Sequence, residues 1–181
     1  MNADPIARSR ELVANARRIV TLTGAGISAE SGVPTFRGSA GLWRTFRPQD
    51  LATPEAFARD PGLVWEWYDW RRGLIASAKP NPGHHALVRL EARTERFTLV
   101  TQNVDGLHRL AGNRNIIHLH GDIWTIRCTR CGAERQDHSV PLPELPPRCR
   151  CGEVNPEPTG YSEHVLSIGG KAGEVLPEIV G

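Results

Sequence analysis

No apolar run in this 181-residue sequence approaches the eighteen or so residues that a helical membrane span needs. The first fifteen residues, MNADPIARSRELVAN, contain no apolar h-region, so no secretory signal is expected and the chain reads as cytoplasmic, with no membrane partner. Cysteine is scarce, four residues in all, and without an export signal four thiols read as metal ligands more readily than as disulfides. Lysine is nearly absent, two residues against twenty arginines, and the formal net charge is +2. Four thiolates around one Zn²⁺ would subtract two more charges and leave the chain near neutral, which gives no electrostatic case for nucleic acid as a partner. There is no internal repeat. What remains is an ordinary globular composition, 39% apolar and 23% charged, in a chain long enough for one core and a small appended module.

The pattern along the chain predicts alternating helices and buried strands. Residues 5–17 carry Ile6, Leu12, Val13 and Ala16 at helical spacing. Residues 18–24, RIVTLTG, form a β-branched run ending in glycine. Residues 54–59 and 62–78 read as helices, and Pro82 opens another that runs to Arg93 with Asn81 as its cap. Residues 97–103 and 115–122 are two further strands, with a short helix between them closed by Gly112. This alternation predicts an α/β fold with a Rossmann-like parallel sheet, whose ligands bind outside the carboxyl ends of the strands. Those ends carry Gly24-Ala25-Gly26, then Gln102-Asn103-Val104-Asp105, then His120-Gly121-Asp122. From Cys128 to Cys151 prolines cluster and apolar runs vanish, as in a small metal-held insert.

Each constellation has a plainer reading beside the functional one. Gly24, Gly26 and Ala29 fit the G-x-G-x-x-G/A pattern that lets amides approach a pyrophosphate, although glycine loops also simply make turns. The acidic strand end expected about twenty residues later in an ordinary dehydrogenase is missing, which disfavours a nicotinamide-linked oxidoreductase. His120 shares the predicted ligand edge with Gln102, Asn103 and Asp105, while His84, His85, His108, His118 and His138 have no comparable company and read as structural. The cysteines run C-x₂-C, seventeen residues, C-x-C, a zinc-type set in which His138 could replace one thiol. Tyr68 and Arg71 lie at i,i+3 on a helix, where they could grip a carboxylate or merely pack and hydrate.

Taken together, Gly24 to Gly38 (GAGISAESGVPTFRG), Thr101 to His108 (TQNVDGLH), His118 to Asp122 (HLHGD), the cysteine pairs, Asn155 to Thr159 (NPEPT) and Ala172 to Pro177 (AGEVLP) resemble the sirtuins, NAD-dependent protein-lysine deacylases. The likeness is strongest to their bacterial and mitochondrial desuccinylase class. It implies a discontinuous Rossmann-like domain, 1–124 with 153–181, and a zinc-ribbon module at 125–152. By motif, Gly24, Ala25, Gly26, Ser28, Ala29, Phe36, Arg37 and Trp43 would line the NAD⁺ loop. Gln102, Asn103 and Asp105 would hold nicotinamide and its ribose, and Asn155, Pro156, Glu157 and Ala172 the adenosine end. His120 would be the general base, and Cys128, Cys131, Cys149 and Cys151 the ligands of one structural Zn²⁺. Tyr68 and Arg71 match the Tyr-x-x-Arg pair that selects succinyl and malonyl groups, and Ala52 the small residue that widens the acyl pocket. The products would be nicotinamide, free lysine and O-acyl-ADP-ribose, and the partners acylated lysines of proteins.

One segment departs from the family pattern. In sirtuins an Arg-Pro-x-Val-Val-Trp-Phe-Gly-Glu strand and a Val-Gly-Thr-Ser strand end separate the second cysteine pair from Asn-Pro-Glu. Here Gly152 runs directly into Glu153, so on the order of sixty residues, about two β–α units, are absent. The expectation is an incomplete sheet and a weakened catalyst, with a zinc-bearing or NAD-sensing interaction protein as the alternative.

Overall fold

The computed structural model describes residues 5–35, 51–151 and 156–158. It opens with helix α1 (Pro5–Asn15), whose apolar side stays in solvent: Ile6 is 68% and Leu12 56% exposed. The helical spacing foresaw the helix but not this, because periodicity reports a face and not whether anything covers it. Strand β1 (Arg18–Thr23) follows and passes through Gly24 into the short helix α2 (Ala25–Ala29).

Capping fixes the next three helices. The Thr53 hydroxyl accepts the Ala56 amide at 3.1 Å to start α3 (Pro54–Arg59), and Pro54 needs no partner for an N–H it lacks. Asp60 ends α3 and opens α4 (Pro61–Ala76), its Oδ1 accepting the Leu63 amide at 3.0 Å. Helix α5 (Pro82–Arg93) has a reciprocal cap: Asn81 Oδ1 accepts Gly83 and His84 amides while His84 Nδ1 accepts the Asn81 amide. Strand β2 (Arg96–Thr101), helix α6 (Leu107–Ala111) and strand β3 (Ile116–His118) complete this part. Gly112 closes α6 at φ +117°, a conformation that suits only glycine well.

The three strands form one parallel sheet in the order β1-β2-β3, with Thr23, Thr101 and His118 in one register row. Phe97 and Leu99 of β2 are buried. The other side pairs Leu22 with Val100 and Val100 with Ile117, and there Val20, Leu22 and Ile117 remain exposed. Parallel sheets normally have both faces covered, so this sheet is incomplete, as the absent segment predicted. Strand β3 is also shorter than the 115–122 expected, because Leu119 to Asp122 turn away after Leu119 N donates to Thr101 O.

Strands β4 (Thr125–Cys128), β5 (Glu134–Gln136) and β6 (Pro156–Pro158) form a second, antiparallel sheet in the order β5-β4-β6. Residues 156–158 were expected to return to the Rossmann-like part; they lie instead beside β4, Pro156 opposite Cys128 and Pro158 opposite Ile126. The tether explains this. Cys151 Sγ is 3.7 Å from Cys128 Sγ, and five residues of chain reach at most about 17 Å, so Pro156 stays near the end of β4. The small unit docks on α3 and α4. Trp65, Ile126 and Leu142 make a buried cluster with Phe57 and Tyr68 against it. Asp69 Oδ1 accepts the Leu142 amide at 2.7 Å, and the fully buried Arg72 donates to the Asp137 carbonyl. Among the described residues no helix is long and apolar enough to cross a membrane.

Candidate active site and cysteine cluster

The carboxyl ends of β1 and β2 are laced together. Thr23 Oγ1 and Thr101 Oγ1 lie 2.9 Å apart across the strands, and Thr101 Oγ1 also accepts the Asn103 amide at 3.1 Å. Asn103 Nδ2 donates to Gly24 O at 3.0 Å and to Ser28 Oγ at 3.1 Å. Ser28 Oγ donates to Asp105 Oδ2 at 2.7 Å, and Asp105 Oδ1 accepts the Leu107 amide at 2.8 Å, which starts α6. Thus Gly24, Ser28, Asn103 and Asp105, four of the expected cofactor residues, form one hydrogen-bonded group in which all but the half-buried Gly24 are buried. Gln102 is exposed and gives only its backbone, to Thr23 O. Gly24 is extended at φ −138°, and a Cβ on Gly24 or Gly26 would meet nothing within 4 Å, so no described neighbour demands glycine there. Ala25 is half-buried and Ala29 exposed.

His120 lies two residues beyond β3, exposed, in the turn before Gly121 at φ +69°. Since adjacent strands lie about 4.8 Å apart, its backbone leaves the sheet on the order of 10 Å from the Gly24 turn, on the same edge. Helix α4 carries Tyr68 and Arg71 to the same region. The Arg71 guanidinium, 6% exposed, sits 4.6 Å from the Trp67 ring centre and 5.6 Å from that of Tyr68. Burial pushes its pKa down, while Tyr68 and Asp105 oppose the shift. Ala52 is half-buried just before α3. Phe36, Arg37, Trp43, Asn155 and Ala172 lie outside the described residues, and the backbone of Pro156 and Glu157 belongs to the small sheet.

Two histidines read as isolated are not. His84 and His108 pack with ring centres 4.8 Å apart, both buried, and His108 Nε2 meets Thr23 Oγ1 at 3.0 Å. Burial, with the neighbouring His84, holds His108 down to about 4, and burial lowers His84 too. Asn81 does more than cap α5: its Nδ2 donates to Ile27 O at 2.7 Å and Ser31 Oγ at 3.0 Å, pinning α2 and the turn after it. Trp124 went unremarked in the sequence, yet its Nε1 donates to Asp105 O at 2.9 Å. A lone aromatic between two strands signals packing, so nothing in the pattern marks such a bond.

The four cysteine sulfurs lie within 4.8 Å of one another, with Cys128–Cys151 and Cys131–Cys149 both at 3.7 Å. Tetrahedral ligation at about 2.3 Å per Zn–S bond requires sulfurs about 3.8 Å apart, a spacing that two of the sulfur pairs already have, so the cluster suits a metal ion. Amides of Cys131 and Arg130 point at the Cys128 sulfur and hold its thiol down to about 6, which favours the thiolate a metal needs. His138 takes no part; it stacks on Trp124 at 5.3 Å between ring centres. A cavity of about 310 Å³ borders the cluster, lined by Ile126, Ala133, Glu134, Arg135 and Arg150 with Cys128 and Cys149, and it lies away from the Asp105 group.

A family model described as the Sir2 family matches residues 24–172. The chain belongs to the Sir2 family. It is 63% identical over 135 residues to the NAD-dependent protein deacylase of Aquifex aeolicus, covering 74% of this chain and 56% of that protein. With the NAD-dependent protein deacylase of Thermus thermophilus it shares 50% over 167 residues, 87% of this chain and 64% of that protein. Among solved Sir2 structures, a mutant homologue in complex with ADP-ribose superposes with a TM-score of 0.79 at 42% identity, over 98% of this chain and 68% of that one. A Sir2 homologue–NAD complex gives 0.76 at 46% identity, over 87% and 61%. The chain thus spans between about half and two thirds of the length of the curated Sir2 relatives it matches.

Proposed function

We propose that this chain is an NAD⁺-dependent protein-lysine deacylase with a preference for acidic acyl groups. The observation that carries the reading is the hydrogen-bonded Gly24–Ser28–Asn103–Asp105 group at the carboxyl edge of a parallel sheet, where α/β folds hold their ligands. NAD⁺ supplies the ribose carbon that accepts the acyl oxygen as nicotinamide leaves. The side chains have separable duties. Glycine at 24 and 26 leaves open space for a close-lying pyrophosphate, since no described neighbour fills it. Asp105 and Asn103 are held rigid by Ser28 and Gly24 O, which suits groups that orient a nicotinamide ribose. His120, exposed on the same edge, is the group able to take a ribose hydroxyl proton at an imidazole nitrogen.

Arg71 supports the acyl preference. Its guanidinium is buried beside Tyr68, where a succinyl or malonyl carboxylate would meet a fixed cation and a phenol. The relatives' names as protein deacylases, and a Sir2 structure in complex with a deacetylated p53 peptide and 3′-O-acetyl ADP-ribose, support acylated protein lysines as substrates. The cysteines would hold Zn²⁺ as a structural clamp, since all four ligand positions are filled by protein.

The test is nicotinamide release from NAD⁺ with succinyl-lysine and acetyl-lysine peptides, followed by mass spectrometry. The expected result is NAD⁺-dependent loss of both acyl groups, faster for succinyl, abolished by His120→Ala. Arg71→Met should lower kcat/KM for the succinyl peptide by about 10–100-fold and leave the acetyl peptide within a few-fold, the loss expected of one buried charge-assisted contact. NAD⁺ binding without acyl loss from either peptide would reduce the chain to a dinucleotide-binding protein.

A further inference from the structure

We propose that Trp124 is a positioning residue through which the cysteine module sets the Asp105–Gly106 turn, and with it the affinity of the cleft for its dinucleotide. Trp124 stands one residue before β4, and it is held on every side by groups from different parts of the chain. Its backbone amide donates to Asp122 Oδ1 at 2.9 Å, two residues from His120. Its carbonyl accepts the Asp137 amide at 2.7 Å, at the point where β5 ends. The His138 ring stacks on the indole, 29° from parallel, and the Arg72 guanidinium lies 5.3 Å from the indole centre. Arg72 itself is fully buried and bonded to Asp137, so the same short stretch after β5 touches the indole both directly and through α4.

The indole passes this placement on. Its Nε1 donates to the Asp105 carbonyl, and Gly106 lies against its edge: a Cβ on Gly106 would fall 3.1 Å from both Cδ1 and Nε1. Gly106 is at φ +77°, so the turn is already left-handed and has no side chain of its own to hold it. Three contacts hold it: the indole on the Asp105 carbonyl, Asp105 Oδ1 bonding the Leu107 amide, and the Leu110 amide donating to the Gly106 carbonyl at 3.0 Å. Asp105 also receives Ser28, which ties the turn to the Gly24 loop. A shift of the cysteine module therefore moves the indole, the Asp105 carbonyl and the Asp105 carboxylate bonded to Ser28 together. The affinity half of this proposal rests on the NAD⁺ reading above; the positioning half does not.

The experiment uses the full metal-loaded chain as wild type, Trp124→Phe and His138→Ala. Residue-resolved amide exchange and calorimetric NAD⁺ titration are measured on each, with metal content checked. Trp124→Phe keeps a ring but loses the donor. It should speed exchange of the Leu107 amide about tenfold and weaken NAD⁺ binding about fivefold, the size of one lost hydrogen bond. Exchange at the Leu99 amide in the core of β2 should stay unchanged, which separates positioning from general destabilisation. The KM for NAD⁺ should rise more than kcat falls. His138→Ala, on the exposed side of the stack, should speed Leu107 by about threefold with metal content unchanged, the fraction expected of one lost ring contact. Leu107 exchange within twofold of wild type in Trp124→Phe overturns the proposal, and if that variant does not fold, the same result in His138→Ala does so. Wild-type protein that fails to bind NAD⁺ overturns the deacylase reading and the affinity half together, while the Leu107 rate still decides the positioning half.

Discussion

His108 shows at the level of single residues how burial changes a side chain's chemistry. Burial first, and the neighbouring His84 second, hold it down to about 4, against a carboxylate at Asp105 that pulls the other way. The unfolded chain takes up a proton near pH 6.5, which the folded His108 refuses until about pH 4. The unfolded state therefore binds more protons within that window, and stability falls as pH drops through it. The loss by pH 4 should be on the order of 3 kcal/mol from this group. Urea unfolding at pH 7, 5.5 and 4.5 measures it, and His108→Asn should be less stable at pH 7 yet show a flatter slope. Gly24, Asn103 and Asp105 were legible in the sequence because strand ends collect ligand groups wherever the strands can be found, whereas Ser28, inside α2, came only with the family resemblance. The His84–His108 pair was not, because 24 positions separate them and only the contact of α5 with α6 brings the rings together. Trp124 was hidden for a similar reason: its work lies in an N–H directed at a carbonyl nineteen residues away.

Elements were readable where local chemistry sets their ends. Asn81, Pro82 and Gly112 mark boundaries by side chain or φ alone, and the structure places α5 and the close of α6 where those residues stand. Strand β3 and helix α1 misled because what they do depends on neighbours: β3 ends where pairing with β2 ends, and among the described residues nothing covers Ile6 and Leu12 of α1. One element reaches further than its own length. From α5, Glu91 collects Asn113 Nδ2 at 2.7 Å and the amides of Arg114 and Asn115, so it fixes the turn that launches β3 towards His120. Burial raises its pKa, but those donors outweigh it and hold the carboxyl below its ordinary value. Glu91→Ala should cost about 0.5–1.5 kcal/mol in urea unfolding, since of the three donors it releases the Arg114 and Asn115 amides are exposed to water. It should also lower kcat more than Trp-detected NAD⁺ binding, because β3 leads to His120 and not to the Gly24 loop.

At the scale of the whole molecule, two small sheets share one helix. Helix α4 gives Trp65, Asp69 and Arg72 to the cysteine module and Arg71 to the neighbourhood of Asp105. Removing the metal should therefore be felt in both. Chelation should release one metal ion per chain and lower the thermal midpoint by more than 10 °C, because structural Zn²⁺ contributes folding free energy outright. Calorimetry with and without added Zn²⁺ checks this, and a midpoint unchanged by chelation would show that the cysteines are spectators. The parallel sheet was foreseen as incomplete, and the exposed Val20, Leu22 and Ile117 are where that incompleteness is visible.

The last described strand has its own chemical limit. Among the described residues, Pro-Glu-Pro forms one border of the small sheet, and two of its three residues have no N–H to offer. An extended polypeptide arriving at that border would find carbonyls but at most one amide donor, so β-addition cannot propagate from it. A peptide meeting the module on this side must be selected by what its side chains touch, and this border is a built-in stop against runaway strand stacking.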